Sequence, residues 1–237
     1  MQDAWWQELF DLYGIRRDDR STWQQPARDL RGGKASPMQT KIQTERVRGA
    51  IDDLLGAGTW QWPKHWGRAI ATFPQGGIWD VPTGWHWDSP VAWHREGVCA
   101  VFAFSFVGAV EPGGGGTSIL AGSHRLLWHW EKDLLARPKV MDAKSQREWF
   151  YCAHPWLAEL SGVAPSPTDR RAVFMADGAE IAGIGLRVVE LSGKPGDMVF
   201  CHPTIVHSAS PNCGTWPRFM RIGMVGTERL AQRLKGR

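Results

Sequence analysis

The sequence has few of the features that mark secreted, disulfide-stabilised or membrane-spanning proteins. Its 237 residues include only four cysteines, and no two of them form a CxxC pair. We therefore expect reduced thiols and a cytoplasmic location. No apolar run is long enough to cross a bilayer, so no membrane partner is expected. The first ten residues, MQDAWWQELF, lack the basic and apolar regions of a secretory signal.

Positive charge is scattered along the chain, and the formal net charge is +4. The one basic cluster, RLAQRLKGR, lies at 229–237 and carries no interleaved aromatic residues. This pattern argues against a nucleic-acid partner and mildly favours an anionic small molecule.

Aromatic residues are unevenly chosen, with 15 tryptophans against two tyrosines. Because an indole buries a large apolar area, these tryptophans fit either core packing or a pocket for a bulky apolar substrate. The sequence alone leaves both interpretations open.

The hydrophobic pattern predicts helices at the beginning and in the middle of the chain and strands elsewhere. The predicted helices cover 1–14, 39–56 and two segments at 124–136 and 146–161, and residues 15–37 are expected to be mostly loop. The apolar run VCAVFAFSFVGAV at 98–110 predicts a central strand. The turn EPGGGG and the following TSILAGS predict that this strand continues into a hairpin.

Further short strands are predicted in AVFMA, EIAGIGLRVVEL, DMVFCH, TIVHSAS and RFMRIGMVG. The sequence therefore predicts one mainly β domain, a sandwich or jelly-roll barrel with helices packed outside. Residues 1–67 are expected to be a helical and loop region that packs on a core at 68–225. The core is expected to carry a helical insert at about 124–162.

The stretch GWHWDSP places His86 and Asp88 two residues apart. In a strand, two such side chains point to the same face. Their imidazole and carboxylate suit a metal ion, but they also suit a polar strand end.

A third ligand is available in the segment at 196–218, GDMVFCHPTIVHSASPNCGTWPR. His207 ends an apolar strand there, whereas Pro203 interrupts the strand beside His202, which is therefore expected to be a packing residue. Arg218 follows eleven residues after His207, and arginine is the side chain best matched to a carboxylate. Two histidines and one carboxylate on one face are typical of non-haem Fe(II) oxygenases.

These segments, together with EPGGGGTSILAGSHR at 111–125, resemble the phytanoyl-CoA dioxygenase family. The resemblance covers residues 68–225. It implies a double-stranded β-helix, a jelly roll of the cupin type, and an enzyme that depends on Fe(II), 2-oxoglutarate and O2. His86, Asp88 and His207 would bind the iron, Arg218 would hold the distal carboxylate of 2-oxoglutarate, and Thr117 would lie near that cosubstrate.

The activity that the resemblance implies is hydroxylation of a small molecule at an unactivated C–H bond, with succinate and CO2 as coproducts. Asp88 supports this reading, because related halogenases lack the carboxylate ligand. The substrate is expected to be small, with a bulky or apolar part if the tryptophans line the pocket.

Three other functions stay open. A zinc hydrolase can use the same three ligands, and a jelly-roll binding module needs no metal. A nucleic-acid demethylase of the same fold would carry a longer arginine motif after the last histidine, which this sequence lacks. Arg218 distinguishes the oxygenase from the zinc hydrolase, since a hydrolase needs no clamp for a cosubstrate carboxylate.

Overall fold

The structure, a computed structural model, describes residues 2–24, 27–30, 41–94, 96–131, 133 and 142–235. Parts of the predicted loop at 15–37 and of the predicted helices at 39–56 and 124–136 therefore lie outside the described residues.

Two antiparallel sheets form the centre of the molecule. Their strands are β1 Ala27–Leu30, β2 Arg68–Thr72, β3 Ala100–Phe106, β4 Ser118–Ala121, β5 Ala179–Ile181, β6 Ile184–Glu190, β7 Met198–Cys201, β8 Val206–Ser208 and β9 Arg218–Gly226. The larger sheet has the order β1-β2-β9-β3-β7, and the smaller has the order β5-β6-β4-β8. This architecture confirms the predicted fold class, a mainly β double-stranded β-helix with flanking helices.

Strand β3 is the central strand that the apolar run predicts. All seven of its residues are buried, and it pairs with β7 on one side and β9 on the other. An apolar run without alternation is what a strand covered on both faces requires.

The predicted hairpin between β3 and β4 is wrong. Strand β4 pairs with β6 and β8 in the smaller sheet, so the glycine turn carries the chain from one sheet to the other. The turn packs tightly against its neighbours, since a Cβ atom on Gly116 would clash with the carbonyl oxygen of Leu191. A Gly-rich turn in the sequence signals such a reversal but does not reveal which strand follows as a partner.

The helices lie outside the sheets. They are α1 Gln2–Tyr13, α2 Glu45–Leu55, α3 Ser123–His129, α4 Ala143–Cys152, α5 Pro155–Ser161 and α6 Glu228–Lys235. None of the described helices has the length and apolar character needed to cross a membrane. Helix α1 packs Trp5 and Trp6 edge-on against Phe219 of the larger sheet.

Capping residues explain where two helices differ from the prediction. Helix α2 begins at Glu45 instead of residue 39, because the Thr44 hydroxyl caps it by accepting a hydrogen bond from Val47 N. The predicted helix at 146–161 is two helices, because His154 caps α5 and Pro155 occupies its first turn.

Three further segments depart from the prediction. Strand β1 lies inside the predicted loop at 15–37. The prediction missed it because its sequence, ARDL, has no strand periodicity, and the strand pairs only with β2. The predicted strand AVFMA is part of a π-helical turn at 172–177, since a short apolar run does not distinguish a strand from a helix. EIAGIGLRVVEL is two strands, β5 and β6, joined at Ala182 and Gly183 with positive φ of 53° and 72°.

The tryptophans pack mainly in the cores. Trp85 and Trp87 are buried in one cluster with residues of the helical insert, and Trp5 and Trp6 of α1 are buried in a second cluster with Trp23. Core packing therefore accounts for the tryptophans around the GWHWDSP motif.

Candidate metal centre

The backbone brings His86 and His207 opposite each other. His86 N donates to His207 O at 2.9 Å, and His207 N donates to His86 O at 2.8 Å. In an antiparallel pair, opposite residues project to the same face, and the centroids of the two imidazole rings lie 4.4 Å apart.

Asp88 completes this group, because it lies two residues beyond His86 and turns its carboxylate toward both rings. Its Oδ1 is 3.8 Å from His86 Nε2, and its Oδ2 is 3.5 Å from His207 Nε2. The three potential ligand atoms lie within 4.8 Å of one another. No other group of three such side chains with metal-binding spacing occurs in the described part of the chain. We call these three residues the triad.

The ring orientations leave the Nε2 atoms free for a cation. His86 Nδ1 lies 3.2 Å from Gly84 O, and His207 Nδ1 lies 3.0 Å from Ile205 O. Each Nδ1–H donates to a carbonyl, so each Nε2 faces Asp88. This second hydrogen bond fixes the ring orientation of a metal-binding histidine.

The electrostatics of the triad favour metal binding at neutral pH. The neighbouring His207 side chain is the main cause that lowers the pKa of Asp88. Burial is the main cause that lowers the pKa of His86, and the charge of His207 adds to it. An ionised carboxylate and a neutral imidazole are the forms that bind metals.

The triad lies in a cavity of about 660 Å³ between the two sheets. Besides the triad, the cavity wall includes polar and apolar side chains, among them Thr72, Thr117, Arg218, Ile70, Phe102 and Ile222. No tryptophan occurs in the wall formed by the described residues.

Arg218 is the buried cation of this cavity, with only 5% of its surface exposed. It donates a short hydrogen bond to the Thr72 hydroxyl and contacts Met220 Sδ at 3.2 Å. Its Nε has no hydrogen-bond partner among the described residues. Burial lowers the pKa of Arg218 to about 10, opposed by the charge of Glu190, so the guanidinium is charged at neutral pH. A buried cation with an unsatisfied donor is suited to an anionic ligand.

Glu190, which the sequence interpretation missed, holds the glycine turn. Its carboxylate accepts hydrogen bonds from Gly113 N at 2.7 Å and Gly116 N at 3.1 Å. Burial raises the pKa of Glu190, and the amides of Gly113, Gly116 and Gly115 and the charge of Arg218 oppose that rise. The glycine turn was the available clue in the sequence, because the amides of a Gly-rich turn form a concave anion site that needs an acceptor. Thr117 follows this turn, buried in the cavity wall.

Asn212 was also missed, and it fixes the loop between His207 and Arg218. Its side-chain nitrogen donates to Thr72 O at 2.9 Å and to Trp216 O at 2.8 Å. Its side-chain oxygen accepts from Gly214 N at 3.0 Å. The asparagine in SASPN was the available clue, because asparagine organises loops through hydrogen bonds to the backbone.

His202 lies apart from the triad. Its ring lies between those of His94 and His124, with centroid distances of 5.0 Å and 5.2 Å. Its Nδ1 lies 2.8 Å from the Thr204 hydroxyl. Arg221, three residues after Arg218, lies over the Trp5 ring on the side of the sheet that α1 covers.

Comparisons with known proteins give fold-level likenesses only. No family model matches the chain, and no curated protein matches it. HygX from Streptomyces hygroscopicus, solved with nickel and 2-oxoglutarate, is 12% identical over 95% of this chain and 77% of its own, with a TM-score of 0.47. EctD from S. alaskensis, solved with bound Fe, is 18% identical over 85% of this chain and 57% of its own, with a TM-score of 0.45.

A third similar structure is the non-haem α-ketoglutarate-dependent epimerase SnoN from nogalamycin biosynthesis. It is 16% identical over 80% of this chain, with a TM-score of 0.42. The present chain covers 57% of the length of both SnoN and EctD. Function therefore has to be argued from the residues of the cavity itself.

Proposed function

We propose that the protein is an Fe(II)- and 2-oxoglutarate-dependent oxygenase that uses O2 to hydroxylate a small molecule. His86, Asp88 and His207 would bind the iron, and Arg218 would bind the distal carboxylate of 2-oxoglutarate. One observation carries the proposal: the triad shares its cavity with a buried arginine whose Nε has no hydrogen-bond partner among the described residues.

The donor set fits ferrous iron. Two imidazole Nε2 atoms and one carboxylate converge from one side, which leaves the other positions of the metal open. When bound, the iron with 2-oxoglutarate and O2 would supply the oxidation of an unactivated C–H bond.

The surrounding residues would bind and orient the cosubstrate. Arg218 would form a charge-assisted pair with its distal carboxylate, and the Thr72 hydroxyl holds the guanidinium in place. Thr117 would offer its hydroxyl from the cavity wall. Because Arg218 is buried, its interaction with a carboxylate is screened less than at the surface.

The buried arginine also separates this proposal from the zinc hydrolase. A hydrolase could use the triad, but it would need no clamp for a cosubstrate carboxylate. A binding module would have no use for three converging metal ligands. The finer assignment to the phytanoyl-CoA dioxygenase family is supported by the sequence motifs alone.

An anaerobic titration tests the proposal. Fe(II) is added to the metal-free protein and then 2-oxoglutarate, and the visible metal-to-ligand charge-transfer band is followed. We expect a band only with both components, and Arg218→Ala should need much more 2-oxoglutarate to develop it. A folded wild-type protein without a band would contradict the proposal.

A matched pair of histidine variants tests the choice of ligand. His207→Ala should lose Fe(II) binding at micromolar metal, whereas His202→Ala should retain it. Equal loss of Fe(II) binding in both variants, with circular dichroism unchanged, would contradict the choice of His207 over His202 as the ligand.

A further inference from the structure

The triad is accessible from one side only. The side chains of His86 and Asp88 are 37% and 47% exposed, whereas that of His207 is 7% exposed. The open side of the triad is therefore the side of His86 and Asp88. A side chain that lies beside these two ligands is placed to meet a substrate as it approaches the metal.

Arg147 of α4 lies beside this open side. Its Nη2 donates to the carbonyl oxygen of Trp87 at 3.4 Å, and Trp87 is the residue between the two exposed ligands. His207 is the main cause that lowers the pKa of Asp88, and the charge of Arg147 adds to it. Burial is the main cause that lowers the pKa of His86, and the same charge lowers it further. The positive charge of Arg147 therefore acts on the triad.

The packing of α4 directs Arg147 toward the ligand segment. With 3.6 residues per turn, Arg147 falls between Phe150 and Tyr151 around the helix, one turn before them. Both aromatic side chains are buried in the cluster that contains Trp87. The Phe150 ring lies edge-on to the Trp87 ring, with 5.5 Å between their centres. Arg147 therefore belongs to the inward face of α4.

Arg147 forms no ion pair with a carboxylate in the described part of the chain. The neighbouring charges of α4 pair with each other on its exposed side, where Lys144 Nζ lies 3.9 Å from Glu148 Oε1. Within the described residues, the Arg147 guanidinium makes one long hydrogen bond, to the neutral Trp87 carbonyl. A divalent ion bound by the triad would add positive charge on the same side. Arg147 therefore keeps its charge and several donors for an anionic group.

We propose that Arg147 binds an anionic group of the substrate, so that the helical insert selects small organic acids. The inference rests on the proposed function, because it takes the triad as the place where the substrate is oxidised. The anionic group would stay at the open side of the triad. The carbon chain would enter the cavity, whose wall includes the apolar Ile70, Phe102 and Ile222. Arginine pairs with such anions through charge-assisted hydrogen bonds.

Calorimetric binding tests the proposal without turnover. Mn(II) replaces Fe(II), and 2-oxoglutarate is saturating so that the cosubstrate positions are occupied. The probes are octanesulfonate and, as the neutral match, octanol. Because a sulfonate is a weak metal ligand, its binding reports the arginine and not the metal. We expect octanesulfonate to bind about tenfold more tightly than octanol, a difference of about 1.4 kcal/mol, because a charged partner strengthens the hydrogen bond.

Two variants on the same helix assign this preference to a residue. Arg147→Gln should bring octanesulfonate and octanol to similar affinities and leave the Kd of 2-oxoglutarate close to its wild-type value. Lys144→Gln removes the same charge from an exposed position of α4 and should keep the wild-type preference. If Arg147→Gln does not fold, Arg147→Lys gives the test. Lysine keeps the charge but lacks the planar fork, so the preference should become smaller without being lost.

The outcomes are distinguishable. If 2-oxoglutarate does not bind to the Mn(II)-loaded wild type, the proposed function and this inference both fail. If 2-oxoglutarate binds, but octanesulfonate binds no better than octanol or does not bind, the assignment of Arg147 alone is wrong. The same conclusion follows if folded Arg147→Gln keeps the preference for the anion. It also follows if this variant weakens the binding of 2-oxoglutarate as much as that of octanesulfonate.

Discussion

Thr72 and Arg218 face each other across neighbouring strands, and the Thr72 hydroxyl accepts a hydrogen bond from the guanidinium. The pairing sets both the position and the direction of a buried positive charge. Because an arginine side chain is long and flexible, a neutral acceptor at its tip restricts it without cancelling its charge. Thr72 therefore prepares Arg218 for an anionic ligand.

Thr72→Val tests this preparation. The variant keeps the shape of the side chain but removes the acceptor, so the guanidinium loses about 1 kcal/mol of orienting interaction. We expect the Kd of 2-oxoglutarate to rise by about threefold to tenfold, measured by titration of the Fe(II)-loaded protein without O2. Thr72→Ser retains the hydroxyl and should stay close to the wild type. Equal affinities in the wild type and Thr72→Val would mean that Arg218 needs no such partner.

Asn212→Ala should destabilise the loop that joins the two halves of the site. The substitution removes three hydrogen bonds to the backbone and leaves the buried Thr72 carbonyl without its side-chain donor. We expect the free energy of unfolding to fall by about 2–3 kcal/mol, measured by urea denaturation. Gln232→Ala removes an exposed amide from α6 and should change that free energy by less than about 0.5 kcal/mol. A similar small change for Asn212→Ala would contradict the role of this side chain.

Arg170 is a positioning residue for the segment that leads to His86. Its buried guanidinium donates to the carbonyl oxygens of Val81 at 3.1 Å and Pro82 at 3.2 Å. It also donates to Glu159 O at 3.0 Å and Leu160 O at 2.8 Å. The helical insert is thereby tied to the loop that ends at the triad.

Arg170→Lys should therefore weaken metal binding as well as stability. Lysine keeps the charge but lacks the planar fork that reaches several carbonyls at once. We expect lower Fe(II) affinity together with a free energy of unfolding reduced by about 2 kcal/mol. Arg171→Lys, at the exposed neighbouring position, is the matched control for both measurements. An unchanged metal affinity in Arg170→Lys would limit this residue to a purely structural role.

The sequence predicted those parts of the site that depend on short spacing and omitted those that depend on tertiary contacts. The two-residue separation of His86 and Asp88 predicts a common direction, and their side chains do converge, although His86 forms only an isolated β-bridge and Asp88 lies in a bend. Glu190 and Asn212 act through backbone amides and carbonyls that come from distant segments. Their role becomes visible only when the crossing of the glycine turn between the sheets is known. Strand β1 was missed for a similar reason, since pairing with β2 defines it more than its own residues do.

Acidification should destabilise the protein through the cluster of His94, His124 and His202. Burial is the main cause that lowers the pKa of both His94 and His202 from 6.5 to about 4. The charges of Arg229 and Arg233 add to the effect at His94, and those of His94 and His124 add to it at His202. His94 is buried, with 1% of its surface exposed.

The sign follows from proton binding. Between pH 6.5 and about 4, these imidazoles are protonated in the unfolded chain and neutral in the folded protein. The unfolded state then binds more protons, so the free energy of unfolding falls as the pH falls through this window. Each such group contributes a slope of up to about 1.4 kcal/mol per pH unit.

The slope can be assigned to the cluster with one variant and one control. Urea denaturation at pH 7 and pH 5 should show a smaller loss of stability for His202→Gln than for the wild type. The variant lacks one of the imidazoles that gain a proton on unfolding. His129→Gln, which removes an exposed histidine from the end of α3, should lose as much as the wild type. If His202→Gln and the wild type lose the same free energy of unfolding between these pH values, His202 does not gain a proton on unfolding. The acid sensitivity must then come from other groups.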